Sequence, residues 1–226
     1  MVDKLIQKAT KLIKDGEDAN ISDALWEHCE LMVKNAYDLT VYCNKKLSAK
    51  DADSADAKPD VTRDDILEAI KSNVRLMKKS VEMTEKCLSG IKDPSGKVSE
   101  TYICPKCAET QEQPGKCPKC EVVLENQIDY ILKTADKLVK EIKPENADSL
   151  MTACEQMTKK ALAKIKKCNS MLAEDKPVTA EIAQAAKDTN KLVAKSMEVS
   201  EKYLLISQEA SKPNQKATDE KPAEKK

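Results

Sequence analysis

Residues 25–47 read LWEHCELMVKNAYDLTVYCNKKL, and residues 150–172 read LMTACEQMTKKALAKIKKCNSML. In the first stretch Leu25, Cys29, Met32, Ala36, Leu39, Cys43 and Leu47 advance by three or four. That spacing gathers them on one face of an α-helix. Leu150, Cys154, Glu155, Met157, Ala161, Cys168, Asn169 and Leu172 repeat Leu25, Cys29, Glu30, Met32, Ala36, Cys43, Asn44 and Leu47 at a constant separation of 125. So many matches in one register point to an internal duplication, and self-similarity constrains architecture more tightly than local propensity does.

Working outward, Leu5, Ile6, Ala9, Leu12 and Ile13 predict a short helix before Gly16, and its ATKLIK (residues 9–14) is echoed by ADKLVK (residues 135–140). Beyond the first long helix, Thr62 or Asp64 can cap a third through Ile66, Ile70, Val74, Met77, Val81 and Leu88, ending at Gly90. Residues 79–88, KSVEMTEKCL, match residues 195–204, KSMEVSEKYL, at a separation of 116. The register changes because the connector AEDKPV (residues 173–178) is shorter than SAKDADSADAKPD (residues 48–60), which reads as a flexible link. The expectation is an all-α fold of two tandem three-helix units, a duplicated helical bundle with a small central four-cysteine, zinc-ribbon-like insert. Its divisions are repeat 1 over 1–90, the metal-binding ribbon over 91–126, repeat 2 over 127–208, and a Lys-, Glu- and Pro-rich disordered tail over 209–226. One shared bundle and two separate ones both fit this pattern.

With 3% aromatic residues and no Phe, the interior has to be built from Leu, Ile, Val, Met, Ala and Cys, a set that suits helix packing. Lys plus Arg and Asp plus Glu both number 39, so no net field draws the chain to nucleic acid or anionic lipid. No apolar run approaches the roughly 18 residues of a membrane span. Nine cysteines, an odd number, fit a reducing compartment better than a disulfide framework. The expected location is therefore the cytoplasm, or the periplasm if a leader has been removed. No Gly-rich phosphate loop, nucleophile elbow or His–carboxylate constellation occurs, which predicts a protein that is not an enzyme.

The chemical signal lies in Cys104-Pro-Lys-Cys107 and, after Pro114-Gly115-Lys, Cys117-Pro-Lys-Cys120. Each Cys-x-x-Cys pair can turn as a knuckle presenting two sulfurs to one side, and Pro114-Gly115 supplies the reversal that brings the pairs together. Cys104, Cys107, Cys117 and Cys120 are thus the expected metal ligands. Four thiolates leave no coordination position for water, which suits a structural zinc and not hydrolytic chemistry.

The string Tyr102-x-Cys104-Pro105, followed by Pro114-Gly115-x-Cys117-Pro118-x-Cys120 and Leu124, resembles the small heavy-metal-binding domain found on metal efflux and cell-envelope proteins. More loosely it resembles the zinc-ribbon class. The likeness covers residues 102–124 only and implies metal binding. That family carries Met and His after its first Cys-Pro and Gly-Met after its last Cys, where this chain has Lys106, Cys107, Glu121 and Val122. An all-sulfur zinc site is the simpler outcome of those departures. A rubredoxin-like iron site, as in the tail of rubrerythrin-like proteins, is the alternative, since it also uses two Cys-Pro-x-Cys knuckles. Those knuckles carry Gly after the second Cys to permit positive φ, and here the positions are Ala108 and Glu121. A diiron partner bundle would need Glu-x-x-His motifs, and His28 is the single histidine.

Cys29 with Met32, and Cys154 with Met157, place soft sulfurs one turn apart, with Cys43 and Cys168 further along the same stripes. Copper binding inside the bundle is a second alternative; core packing is the simpler role. Cys87 is matched by Tyr203, Trp26 by Met151, and His28 by Ala153. Trp26 is therefore read as a packing residue and His28 as a surface or boundary one. In the ribbon Lys106, Lys116 and Lys119 are offset by Glu109, Glu112 and Glu121, and Tyr102 alone offers a stacking surface, so no nucleic-acid partner is expected. The sequence predicts a non-catalytic, metal-binding helical scaffold that engages a protein partner. Metal handling or electron transfer, through iron at the ribbon or copper in the bundle, is the alternative.

Overall fold

A capping box opens the third helix. Thr62 Oγ1 accepts from the Asp65 amide at 3.2 Å while the Asp65 carboxylate accepts from the Thr62 amide at 2.8 Å. Two otherwise orphaned amides are satisfied reciprocally, which settles Thr62 and not Asp64 as the cap. The computed structural model describes residues 1–15, 22–48, 61–174 and 177–210. Of these, 75% are helical. The helices are α1 (Val2–Asp15), α2 (Ser22–Ser48), α3 (Arg63–Ser89), α4 (Gln127–Glu141), α5 (Asp148–Leu172) and α6 (Thr179–Ala210). Three two-residue strands lie between α3 and α4: β1 (Tyr102–Ile103), β2 (Thr110–Gln111) and β3 (Glu125–Asn126). Glu209 and Ala210, expected in the tail, continue α6; residues 211–226 and most of the first connector lie outside the described residues.

α2 packs on α3 and α5, and α6 packs on α5 and α3, so four long helices close a ring in the order α2, α3, α6, α5. Side-chain contacts give its directions. Thr40 meets Asn73 and Cys29 meets Thr84, so α2 and α3 run antiparallel. Cys154 meets Ser200 and Cys168 meets the Ile182 carbonyl, so α5 and α6 do too. Across the ring, Asn44 Nδ2 donates to Glu155 at 2.7 Å and Asn169 Nδ2 donates to Glu30 at 2.6 Å, making α2 antiparallel to α5. The short amphipathic helices lie outside this ring, α1 against α2 and α3, and α4 against α5 and α6. One continuous apolar core takes residues from all six helices, with Ala9 and Ala135 the buried contacts of α1 and α4 near their middles. A single bundle is therefore what forms.

The core face of α3 differs from the expected apolar stripe. Val74, Val81 and Leu88 are only partly buried, while Asn73, Ser80, Thr84 and Cys87 lie inside. The hydroxyls are tolerated because they bond back to their own helix: Ser80 to the Leu76 carbonyl at 3.0 Å and Thr84 to the Ser80 carbonyl at 2.8 Å. Asn73 donates to Thr40 Oγ1 at 2.8 Å, and Thr40 donates to the Ala36 carbonyl. On α2, likewise, Thr40 is buried and Leu39 is not. Small side chains at Ser80 and Thr84 let the helices approach closely while their hydroxyls stay bonded, and Asn73 Oδ1 is left without a partner among the described residues.

His28 is buried, not at the surface as its sequence context suggests. Its Nε2–H donates to the Leu5 carbonyl at 3.0 Å, tying α2 to α1, and Nδ1 has no partner among the described residues. Burial depresses its pKa below 6.5; the Leu5 bond opposes the shift and the charge of Lys8 adds to it. The neutral ring is thus the folded form. As pH falls through 6.5 the unfolded chain gains a proton that folded His28 resists, so stability is lost from there down to the depressed folded pKa. Urea midpoints measured across that range should fall for the native chain, and His28→Gln should remove that component of the decline, leaving only the carboxylate part at lower pH. A second expectation follows from the ring. Asn44→Ala and Asn169→Ala should each lower the unfolding free energy by about 1–2 kcal/mol, since each strands a partly buried carboxylate. Equilibrium denaturation of the two variants checks this.

Candidate metal centre

The chain leaves α3 and is pinned to the start of α6, at the same end of the bundle, before the ribbon begins. The Ser95 amide donates to Thr179 Oγ1 at 2.9 Å and the Ala180 amide donates to the Ser95 carbonyl at 3.1 Å. Next to it Gly96 has φ +104°, and a Cβ there would lie 2.6 Å from Val178 Cγ1, so glycine alone fits. β1 then forms the centre of an antiparallel sheet in the order β2-β1-β3. β3 runs straight into α4: Asn126 Oδ1 accepts from the Ile128 amide at 3.0 Å as the helix cap, and the Gln127 amide donates to the Thr101 carbonyl at 2.8 Å. The ribbon is therefore anchored at α6 on one side and continuous with α4 on the other.

Two knuckles of the same form hang from this sheet. In the first, the Ala108 amide donates to the Cys104 carbonyl at 2.9 Å and the Cys104 amide to the Glu109 carbonyl at 2.8 Å. In the second, Glu121 donates to Cys117 at 2.9 Å and Cys117 to Val122 at 2.8 Å. Both turns need a residue with positive φ just after the second cysteine, and Ala108 and Glu121 adopt it, at 58° and 56°. The knuckles expected from the two Cys-x-x-Cys pairs thus form without glycine at these positions. At the reversal, Gly115 has φ +150° and its carbonyl accepts from the Leu124 amide at 2.9 Å. Cys104 and Cys117 are buried with Leu124 in a small core of their own, with Tyr102 and Val122 against it. Cys107 is exposed and Cys120 half-buried.

The four sulfur atoms converge. Cys104 and Cys120 Sγ stand 3.2 Å apart, Cys107 and Cys117 3.5 Å, and Cys107 and Cys120 3.7 Å. All four lie within 4.8 Å of one another. Four sulfurs held about 2.3 Å from one tetrahedral ion stand about 3.8 Å apart, so the set could hold a metal ion with little adjustment. Among the described residues it is the one group of three or more His, Cys, Asp or Glu side chains gathered so closely.

Electrostatics fits the same use. Burial opposes ionisation of Cys104, yet the amides of Cys107 and Lys106 and the Cys120 thiol aim at its sulfur and bring its pKa below the ordinary thiol value. The Cys104 sulfur, together with burial, pushes Cys120 up. At Cys107 the Glu109 amide favours the thiolate, but burial and the thiols of Cys117 and Cys104 hold the pKa above normal. One thiolate suppresses its neighbours, and a divalent cation supplies the charge that would let all four ionise.

The other cysteines singled out in the sequence are buried in the bundle: Cys29, Cys43, Cys87, Cys154 and Cys168. Cys154 Sγ lies 3.3 Å from Ser200 Oγ, and Cys168 donates to the Ile182 carbonyl at 3.5 Å. Cys29, Cys43, Cys154 and Cys168 do not gather as one ligand set. Sequence reasoning missed the three-stranded sheet, whose strands are too short to show a period-two pattern. Comparison with family models, curated proteins and solved structures gave no match to this chain.

Left-handed backbone at Ala108 and Glu121 costs each residue about 1 kcal/mol relative to glycine. Ala108→Gly and Glu121→Gly should therefore each strengthen metal retention several-fold, read as a slower or later loss of metal to a competing chelator. Glycine at the exposed helical position Lys78 should leave retention unchanged.

Proposed function

We propose that Cys104, Cys107, Cys117 and Cys120 hold one structural zinc ion, and that the protein is a non-catalytic helical scaffold that presents its helix faces to a protein partner. The observation that carries this reading is the convergence of four sulfurs, with no nitrogen or carboxylate among them, into a tetrahedron-sized cluster. Such a set saturates zinc and leaves no site for water or substrate. The small core of the ribbon is too slight to hold that segment alone, so the ion would supply much of its folding free energy. Because β3 is continuous with α4 and Ser95 is bonded to Thr179 and Ala180, an ordered ribbon fixes the junction between the two halves of the bundle.

The two halves are, on this reading, copies related by a pseudo-twofold axis. Support comes from contacts that recur in pairs. Asn44 with Glu155 mirrors Asn169 with Glu30, and Cys29 with Thr84 mirrors Cys154 with Ser200. Lys79 with Glu82 likewise mirrors Lys195 with Glu198. No described helix is long and apolar enough to cross a membrane. All nine cysteines are free, the state a reducing compartment such as the cytoplasm maintains.

Iron in the same four-thiolate cage is a second reading, favoured by the positive φ that Ala108 and Glu121 reach without glycine. Metal analysis of protein purified without added metal separates the two. One zinc per chain and a colourless solution is the expected result; one iron with red absorbance would replace zinc by iron. A chelator should then disorder residues 102–124, seen as loss of amide-exchange protection there, while most of the helical circular dichroism persists. Unchanged protection in the metal-free chain would overturn the structural role.

A further inference from the structure

The ribbon lies against the second half of the bundle, and there α5 carries cations that the first half lacks. Lys160, Ala163, Lys164 and Lys167 form one stripe along α5, at spacings of three and four. At the separation of 125 their counterparts on α2 are Asn35, Asp38, Leu39 and Tyr42, with no lysine among them. This stripe is one wall of a cleft of about 590 Å³, and the ribbon's entry segment (residues 97–101) with Glu112, Gln113 and Gln127 is the other. A narrow extension runs past Ser99 and Gln127 to Asp188.

The charges in the cleft are unequally engaged. At its floor Lys164 Nζ donates to the buried Asp188 carboxylate at 2.7 Å, and that carboxylate also accepts from Gln184 Nε2 at 2.9 Å. Lys167 is paired with Glu181, and Glu100 accepts from the Tyr102 hydroxyl at 2.5 Å. Lys160 is half-buried, yet neither it nor Lys97 has a carboxylate partner among the described residues. Burial and the adjacent Lys164 charge hold the Lys160 ammonium below the ordinary lysine range. A partly desolvated cation without a counter-charge is costly, and an anion entering the cleft would relieve it.

We propose that this cleft binds a small phosphomonoester, with the phosphate on Lys160 and Lys97 and a polyol part on Ser99, Thr101, Gln113 and Gln127. Two unpaired ammoniums suit a group that carries close to two negative charges, and lysine serves phosphate as a point charge. The volume is that of a small-molecule pocket, more than a bare phosphate ion fills. No aromatic side chain is among the described residues lining the cleft, so it offers a nucleobase no stacking surface. Hydroxyls and amides are there for an alcohol instead, and Glu112 is an acceptor for its protons. These walls are protein throughout, so the site stands whether the ribbon holds zinc or iron.

Titration calorimetry on the full chain, with its ribbon metal as purified and at about 0.15 M salt to screen exposed charge, tests this. The probes are glycerol 3-phosphate, glucose 6-phosphate, glucose and inorganic phosphate. At least one of the two esters should bind, one per chain and about tenfold more tightly than inorganic phosphate, while glucose does not bind. Lys160→Gln should weaken that binding by more than about tenfold. Ala163→Glu, which adds a carboxylate at an exposed position of the stripe, should abolish it. Lys159→Gln, at an exposed position outside the cleft, should bind like the native chain. Unchanged helical circular dichroism and metal content establish that the variants fold. Binding of neither ester, inorganic phosphate bound as tightly as the esters, native-like binding by the folded Lys160 or Ala163 variants, or an equal loss in Lys159→Gln would each overturn the proposal.

Discussion

Asn44 to Glu155 and Asn169 to Glu30 are the amide–carboxylate hydrogen bonds that hold α2 against α5 in antiparallel register, and the rest of the bundle depends on that register. Between them lie Ala36 and Ala161, both wholly buried, whose small side chains let the two helices come close at their midpoints. A one-turn slip would separate both amides from their carboxylates and carry Thr40 away from Cys154. Apolar packing supplies most of the driving force for such a contact, but it is non-directional; the paired polar bonds select one register among several of similar area. α3 and α6 then close the ring on either side, and α1 and α4 cover its outer seams.

The ribbon depends on this ring as much as it serves it. Its entry segment is held at Ser95 by α6, its exit strand leads into α4, and α4 in turn lies on α5 and α6. Four sulfurs in a segment with a core of little more than Leu124, Tyr102 and Val122 need an external organiser, and a metal ion fits the distances they keep. Ordered by that ion, the ribbon would act as a rigid connector between the halves, where an unmetallated loop of the same length would be a loose one. The proposed zinc and the bundle geometry therefore reinforce one another through a small number of backbone bonds.

Much of this is readable from residue patterns. Helix positions follow from apolar periodicity and from punctuation by Thr62 and Gly90, and the four clustered thiols follow from Cys-x-x-Cys spacing. Three departures share a cause. Periodicity puts Val74, Val81 and Leu88 on the core face of α3, but Ser80 and Thr84 can hide their hydroxyls on their own helix and so enter the core. The sequence context of His28 suits a boundary residue, but the Leu5 carbonyl gives it a partner inside. Ala108 and Glu121 stand where rubredoxin-like knuckles carry glycine, yet both residues take the left-handed backbone the turn requires. In each case a local preference is overruled by a hydrogen bond or a turn that only the assembled chain provides.

Spacing along the chain was enough to establish six helices, a four-thiol cluster and the repetition of one pattern, because periods of three to four residues and Cys-x-x-Cys turns are local geometry. Which side chains meet across helices was beyond it. Cys29 lies 55 positions from Thr84, yet their side chains stand 3.2 Å apart, since helices of fixed pitch place residues along an axis while lateral packing decides what stands beside them. Whether the helices form one bundle or two was equally a matter of lateral contact, set by close packing of buried faces and by two amide–carboxylate bonds more than 100 residues apart in sequence.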